Sequence, residues 1–82
     1  MRTLNIIETT NPQNNERMRF EWAEGDHDVE ILVWKDGEWK NAGHYAMATF
    51  KAGMKKMEAM GWPIEQWKGK RHDDLYHPSP NP

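Results

Sequence analysis

The densest run of chemically capable side chains is His72-Asp73-Asp74-Leu75-Tyr76-His77, with four potential metal ligands in six residues. Its spacing argues against a metal site. Two histidines five residues apart lie about 140° apart around a helix, so they share no face. A closed zinc site also takes four ligands, usually including thiolates, and the chain has no cysteine. A short His/Asp tract is then a compositional feature, and no metal or other cofactor is expected. His27, between Asp26 and Asp28, reads as part of an acidic turn with a structural role.

Covalent catalysis needs a nucleophile held against a base. The only serine, Ser79, lies in Pro78-Ser79-Pro80-Asn81-Pro82, where nothing holds it against a histidine. Thr3, Thr9, Thr10, Thr49 and the two tyrosines fall in no nucleophile elbow. No GxGxxG or GxxxxGK[ST] loop is present to cradle a phosphate. No catalytic residue is assigned, and a non-enzymatic, binding protein is expected.

The residues left are those that make contacts. Five Trp and six Met stand against two Tyr and two Phe, so bulky indoles and adaptable thioethers should build much of the core. The net charge of −2 is uneven, with nine Asp/Glu and five Lys/Arg before residue 44, and four against six after it. An acidic first half attracts basic partners and repels nucleic acid. Its bland reading is a solvated, soluble face.

The elements that position these side chains follow from periodicity. Residues 2–9, with Leu4, Ile6 and Ile7, read as a strand, and Asn11-Pro12-Gln13-Asn14-Asn15 as a loop. Arg17 to Trp22 alternates strictly, which places Met18, Phe20 and Trp22 towards a core. From Asp28 to Lys35 both faces are apolar, with Val29, Ile31 and Val33 on one and Leu32 and Trp34 on the other. Asp36-Gly37 predicts a two-residue type I′ hairpin turn that sets Trp34 opposite Trp39 and Lys35 opposite Glu38. The fourth strand then runs from Glu38 to Ala42 or slightly beyond.

Ala46, Phe50, Gly53, Met57 and Met60 recur at helical spacing, with Met54 and Met47 beside them, largely opposite a face carrying Lys51, Lys55, Lys56 and Glu58. Gly61 is placed to end this helix as its left-handed C′ residue, with Trp62 folding onto Met57 and Pro63 blocking continuation. No good N-cap marks its start. Ile64 to Trp67 reads as a short helical turn with the proline at its first position.

The expected architecture is α+β: a three- to four-stranded antiparallel meander with one amphipathic helix on one face. Residues 1–68 form the single domain, and 69–82 a polar, Pro-rich, flexible tail. The N-terminal apolar run is too short for a signal peptide, no stretch is apolar enough to span a bilayer, and mean hydropathy is −1.06. With no cysteine, these features predict a cytoplasmic protein that makes no membrane contact.

One helix covers one face of a sheet. If it covers Val29, Ile31 and Val33, then Glu30, Leu32, Trp34, Asp36, Glu38 and Trp39 form an acidic, Trp-rich face for a protein partner. Two arrangements would remove that face. The helix could cover the tryptophans instead, or Ile64 and Trp67 could fold back to seal the second face.

Three functions follow from these alternatives. One is a protein-binding module, an inhibitor or regulator of a larger protein or ribonucleoprotein complex. Another is a nucleic-acid binder using Lys51, Lys55, Lys56, Lys68, Lys70 and Arg71, as small sheet-plus-helix DNA readers such as integrase arm-binding domains would suggest. A third is a homodimer that closes on itself. In its size, its lack of cysteine and its acidic aromatic face, the chain resembles the accessory proteins, anti-CRISPR proteins among them, that phages and mobile elements turn on host machinery. That resemblance implies the first function, with the partner unidentified.

Overall fold

The computed structural model describes residues 3–69. Five strands form one antiparallel sheet: β1 (Leu4–Asn11), β2 (Glu16–Ala23), β3 (Asp28–Lys35), β4 (Glu38–Ala46) and β5 (Ile64–Gly69). Their order is β4-β3-β2-β1-β5, and α1 (Met47–Ala59) joins β4 to β5. The fold is α+β, as expected, but with five strands rather than three or four. The expected helical turn at 64–67 is instead strand β5. It pairs along β1 from Thr9↔Ile64 to Leu4↔Gly69. An unpaired β1 would leave a row of backbone donors and acceptors open, and β5 satisfies them. Of the tail expected at 69–82, Gly69 is the last residue of β5, and the rest lies outside the described residues. Among the described residues, no helix is long and apolar enough to cross a membrane.

The turns form where side chains replace backbone partners. Between β1 and β2, Asn11 Oδ1 accepts the Gln13 N–H at 2.9 Å and Asn14 Oδ1 accepts the Glu16 N–H at 3.0 Å. Between β2 and β3, Asp26 Oδ2 accepts the Ala23 N–H at 2.9 Å. Between β3 and β4, Asp36 and Gly37 both have positive φ, 54° and 79°, as a type I′ turn requires. Trp34 lies opposite Trp39 and Lys35 opposite Glu38, the expected register. Strand β4 runs past Ala42 to Ala46, through an irregularity opposite Ile31 and Leu32.

The helix starts without a side-chain cap, but its Met47 N–H donates to the His27 carbonyl at 2.8 Å. The β2–β3 turn thus does the work that a capping residue would do. At the other end the Trp62 N–H donates to Met57 O at 3.0 Å and the Gly61 N–H to Glu58 O at 3.1 Å, with Gly61 at φ 83°. That is the glycine-terminated cap expected from the sequence.

The helix covers the face of Val29, Ile31 and Val33. Its core contains Ile7, Phe20, Val29, Ile31 and Phe50, with Met18, Trp22, Met47, Met54, Met57 and Ile64 packed around it. Phe50 is the one buried residue of α1, its ring 5.1 Å from Phe20 and 5.2 Å from Trp22. The apolar stripe is centred nearer Met47 and Met54 than expected, and its Ala46–Met60 edge is left outside. Met47, Phe50, Met54 and Met57 meet the sheet, whereas Ala46 and Met60 are exposed. Thr9 is buried on this face, and its hydroxyl has no hydrogen-bond partner.

Two stability outcomes follow. A Cβ at Gly37 meets nothing within 4 Å, so Gly37→Val acts through φ alone and should lower stability by at least ~1 kcal/mol in thermal unfolding. A neutral result would contradict the turn. Thr9→Val removes a buried, unsatisfied hydroxyl at constant shape, and should raise the denaturation midpoint by about 1 kcal/mol of stability. A loss of stability would mean that the hydroxyl is bonded in solution.

Candidate functional site

The face opposite α1 has no second layer among the described elements, yet much of it is buried. Ile6, Glu8, Arg19, Glu21 and Leu32 are all nearly inaccessible. The register explains how they meet. Arg19 on the central strand β2 lies opposite Glu8 on β1 and Leu32 on β3, and Ile6 lies between Glu21 and Trp67.

Arg19 organises this face. Its Nε donates to Glu8 Oε2 at 2.7 Å, its Nη2 donates to the same oxygen, and its Nη1 lies 3.5 Å from Glu21 Oε2. Glu8 Oε1 accepts a further bond from Arg17 Nη2. Over the guanidinium lie two indoles from opposite edges of the sheet. Trp39 of β4 has its ring centre 4.6 Å from the guanidinium carbon, and Trp67 of β5 has its ring centre 5.5 Å away. Each ring reaches across an intervening strand, and that reach accounts for the burial of Leu32 and Ile6. A guanidinium suits this position because it is planar, weakly hydrated and able to stack and donate at once.

Most of the expected protein-binding residues cluster at the β4 end of this face. Trp34 and Trp39 are half-buried and meet edge to face, 5.4 Å between centres. Asp36 is exposed in the turn beside them; Glu38, expected on the same face, is exposed but pairs with Lys35 one position before Trp39, so strand alternation turns it to the helix side. Glu30 is half-buried, and its carboxylate accepts from Asn41 Nδ2 at 2.8 Å. Leu32 is only 2% exposed, so it supports the tryptophans from beneath. The turn is less acidic than the sequence suggests. Lys40 Nζ lies 3.4 Å from Asp36 and 4.0 Å from Glu38, and Lys35 bridges to Glu16 at 3.8 Å.

Lys51, Lys55 and Lys56 are exposed on α1, Lys68 is exposed on β5, and Lys70 and Arg71 lie outside the described residues. The His72–His77 tract also lies outside them. No group of three or more His, Asp or Glu residues is arranged to hold a metal among the described residues.

Sequence reasoning missed Arg19, Glu8 and Glu21; of the two residues it named as able to seal the second face, Trp67 lies over Arg19 there, whereas Ile64 packs on the helix side. Strict alternation in β2 sends Arg19 to the face that looks solvent-exposed. The usable signal was the opposite charge of Glu8, which requires the β1–β2 register. No known protein family, curated protein or solved structure matches the chain.

Removing Arg19 takes two charge-assisted bonds from the buried carboxylate of Glu8, which then keeps only the half-exposed Arg17. Arg19→Met should therefore lower stability by roughly 3–5 kcal/mol, a large part of a small domain's margin. Adding Glu8→Leu should recover some of that loss, because a buried carboxylate that has lost its main cation goes with it. Arg19→Lys should fall between, keeping charge but losing the fork and the stack. Urea denaturation reads all three, and a loss under ~1 kcal/mol for Arg19→Met would show that the cluster is not the roof of this face.

Proposed function

We propose that the chain is a non-enzymatic protein-binding module, an inhibitor or regulator of a larger protein or ribonucleoprotein complex. It docks through the sheet end built by the β3–β4 hairpin. The observation that carries this reading is the Trp34–Trp39 pair. Two indoles in edge-to-face contact, held in place by a rigid turn and left half-accessible, make a preorganised aromatic anchor. Rings fixed before binding lose little entropy on binding, which is where flexible contact residues lose affinity.

The charges beside the pair serve a lesser role. Lys40 lies within 4.0 Å of both Asp36 and Glu38 and offsets part of their negative charge. The contact energy therefore comes from the rings, and the exposed carboxylates tune encounter and register. The contact set is Trp34, Trp39, Asp36, Glu38 and Glu30, with Leu32 as its support. The partner offers an apolar hollow wide enough for an indole, with donors at its rim.

The test compares variants in affinity capture followed by titration of the captured protein. Trp34 is the residue to change, since Trp39 also covers Arg19. Trp34→Ala should weaken the complex by about 2 kcal/mol or more, roughly 30-fold, at unchanged fold. Glu38→Lys should alter mainly the association rate and its salt dependence. Replacing Lys51, Lys55 and Lys56 by Glu should leave the complex intact. If the lysine variant alone abolishes binding, and the bound material is nucleic acid with steep salt dependence, the hairpin reading is wrong.

A further inference from the structure

The helix side carries a feature that neither the fold nor the hairpin accounts for. Beside α1 runs an apolar cleft of about 300 Å³, lined by Met18, Phe20, Tyr45, Phe50, Met57 and Trp62, with Thr49 and Gly53 at its helix edge. Gly53 stands in the interior of the helix, where glycine is about 1 kcal/mol less favourable than alanine. Close packing within the monomer does not require it, because a Cβ there would meet nothing within 4 Å. The two exposed large hydrophobic residues among those described are Tyr45, 47% accessible, and Met60, 64% accessible. They flank the two ends of α1.

These features lie on one stripe. With 3.6 residues per turn, Thr49, Ala52, Gly53, Lys56 and Met60 fall within an arc of about 100°, whose Gly53 edge lies about 60° from Phe50. Tyr45 joins that side, since it lines the cleft together with Thr49 and Gly53. Small residues occupy the middle of the stripe and large apolar residues its ends. Such a profile is its own complement under a two-fold axis. An axis between Ala52 and Gly53 sets the second copy's Met60 on Tyr45, its Lys56 on Thr49 and its Gly53 on Ala52, and the reverse contacts are identical.

We propose that the chain forms a two-fold homodimer by antiparallel packing of α1 on α1. The axes cross at Ala52 and Gly53, and Met60 of each copy enters the apolar cleft of the other beside Tyr45. The second copy is the occupant that fits because it carries the matching knob, the matching hole and the small residues between them. A flexible thioether suits an irregular aromatic hollow. The contact is distinct from the hairpin and stands whether or not the hairpin binds a protein.

One helix per copy gives an interface at the small end of the specific range, near ~1,000 Å², the size class of weak and transient contacts. Lys51, Lys55 and Lys56 on each copy outweigh Glu58, so the two helices repel electrostatically. Added salt should therefore strengthen the dimer, as screening weakens like-charge repulsion.

Sedimentation equilibrium of the purified chain, from about 1 µM to 1 mM, reads the proposal without any other partner. The expected result is a monomer–dimer equilibrium that shifts towards dimer with salt. Gly53→Leu and Met60→Glu should each leave a monomer over that whole range, and circular dichroism melting should show that both remain folded. Leucine at 53 has open space around its Cβ and a better helix propensity, so misfolding does not confound that variant. Since the chain has no cysteine, Ala52→Cys places one thiol beside the axis, and it should oxidise to a disulfide-linked dimer far faster than Lys40→Cys on the edge strand. A wild-type chain that stays monomeric at ~1 mM overturns the proposal. So does a dimer that persists unchanged in Gly53→Leu and Met60→Glu, or equal cross-linking of the two cysteine variants.

Discussion

The sheet depends on the ionic contact of Arg19 with Glu8 and Glu21 beneath two indoles. A five-stranded sheet has two faces to protect, and the one helix among the described elements protects one. On the other face the central strands carry charged side chains, which would be solvated if nothing lay over them. Instead, Trp39 and Trp67 converge on one guanidinium from opposite edges. The guanidinium keeps the rings together, and the rings exclude water from the ion pairs. Each indole is attracted by the cation by an amount on the order of 1–2 kcal/mol when desolvated. The carboxylates need the cation more, because a buried charge without a partner is expensive.

This arrangement also gives β5 its importance. Trp67 reaches Arg19 only if β5 lies along β1 in the observed register, with Trp67 opposite Ile6. A slip of one residue would send Trp67 to the helix face and Ile64 to the other. The register is thus fixed from both faces, by Ile64 against the methionines of the core and by Trp67 over the ionic cluster. The hairpin is tied into the same contact. Trp39 touches Arg19 with one part of its surface and Trp34 with another, so the proposed anchor has a rigid floor.

What was legible in the sequence was local. Asp36-Gly37 encodes its turn in two residues, and Gly61-Trp62-Pro63 encodes the helix end in three. Which face of β3 the helix covers stayed open, because both faces of that strand are apolar, and the structure resolves it by packing Phe50 with Val29 and Ile31. What was not legible depended on chain segments far apart. In β5 the two large apolar residues, Ile64 and Trp67, point to opposite faces, so no alternation marks the strand, and a proline just before it imitates a helix start. Arg19 looked solvent-facing because its partners come from β1, β4 and β5, whose positions relative to β2 no local pattern gives. The helix stripe was misjudged by a fraction of a turn, since Gly53, Ala46 and Met60 have the spacing of a core face but not its position. Of the contact residues named from sequence, Leu32 was placed on the correct face but beneath the surface.

The helix face has the opposite problem. Strands lie about 4.8 Å apart, so five of them span roughly 20 Å, whereas a helix with its side chains is about 10–12 Å across. A single helix thus covers about half the width of the sheet. Phe50 sinks between Phe20 and Trp22 and fixes α1 over the middle strands, and the width left uncovered is the cleft between Tyr45 and Trp62. Large side chains on that flank of α1 could have filled it from within. The chain instead places Thr49 and Gly53 there and puts Met60 outside. On the opposite face an equal shortage of cover is met internally, by indoles from both edges. The two faces solve one geometric mismatch differently, and the helix side is the one that leaves room for a second molecule.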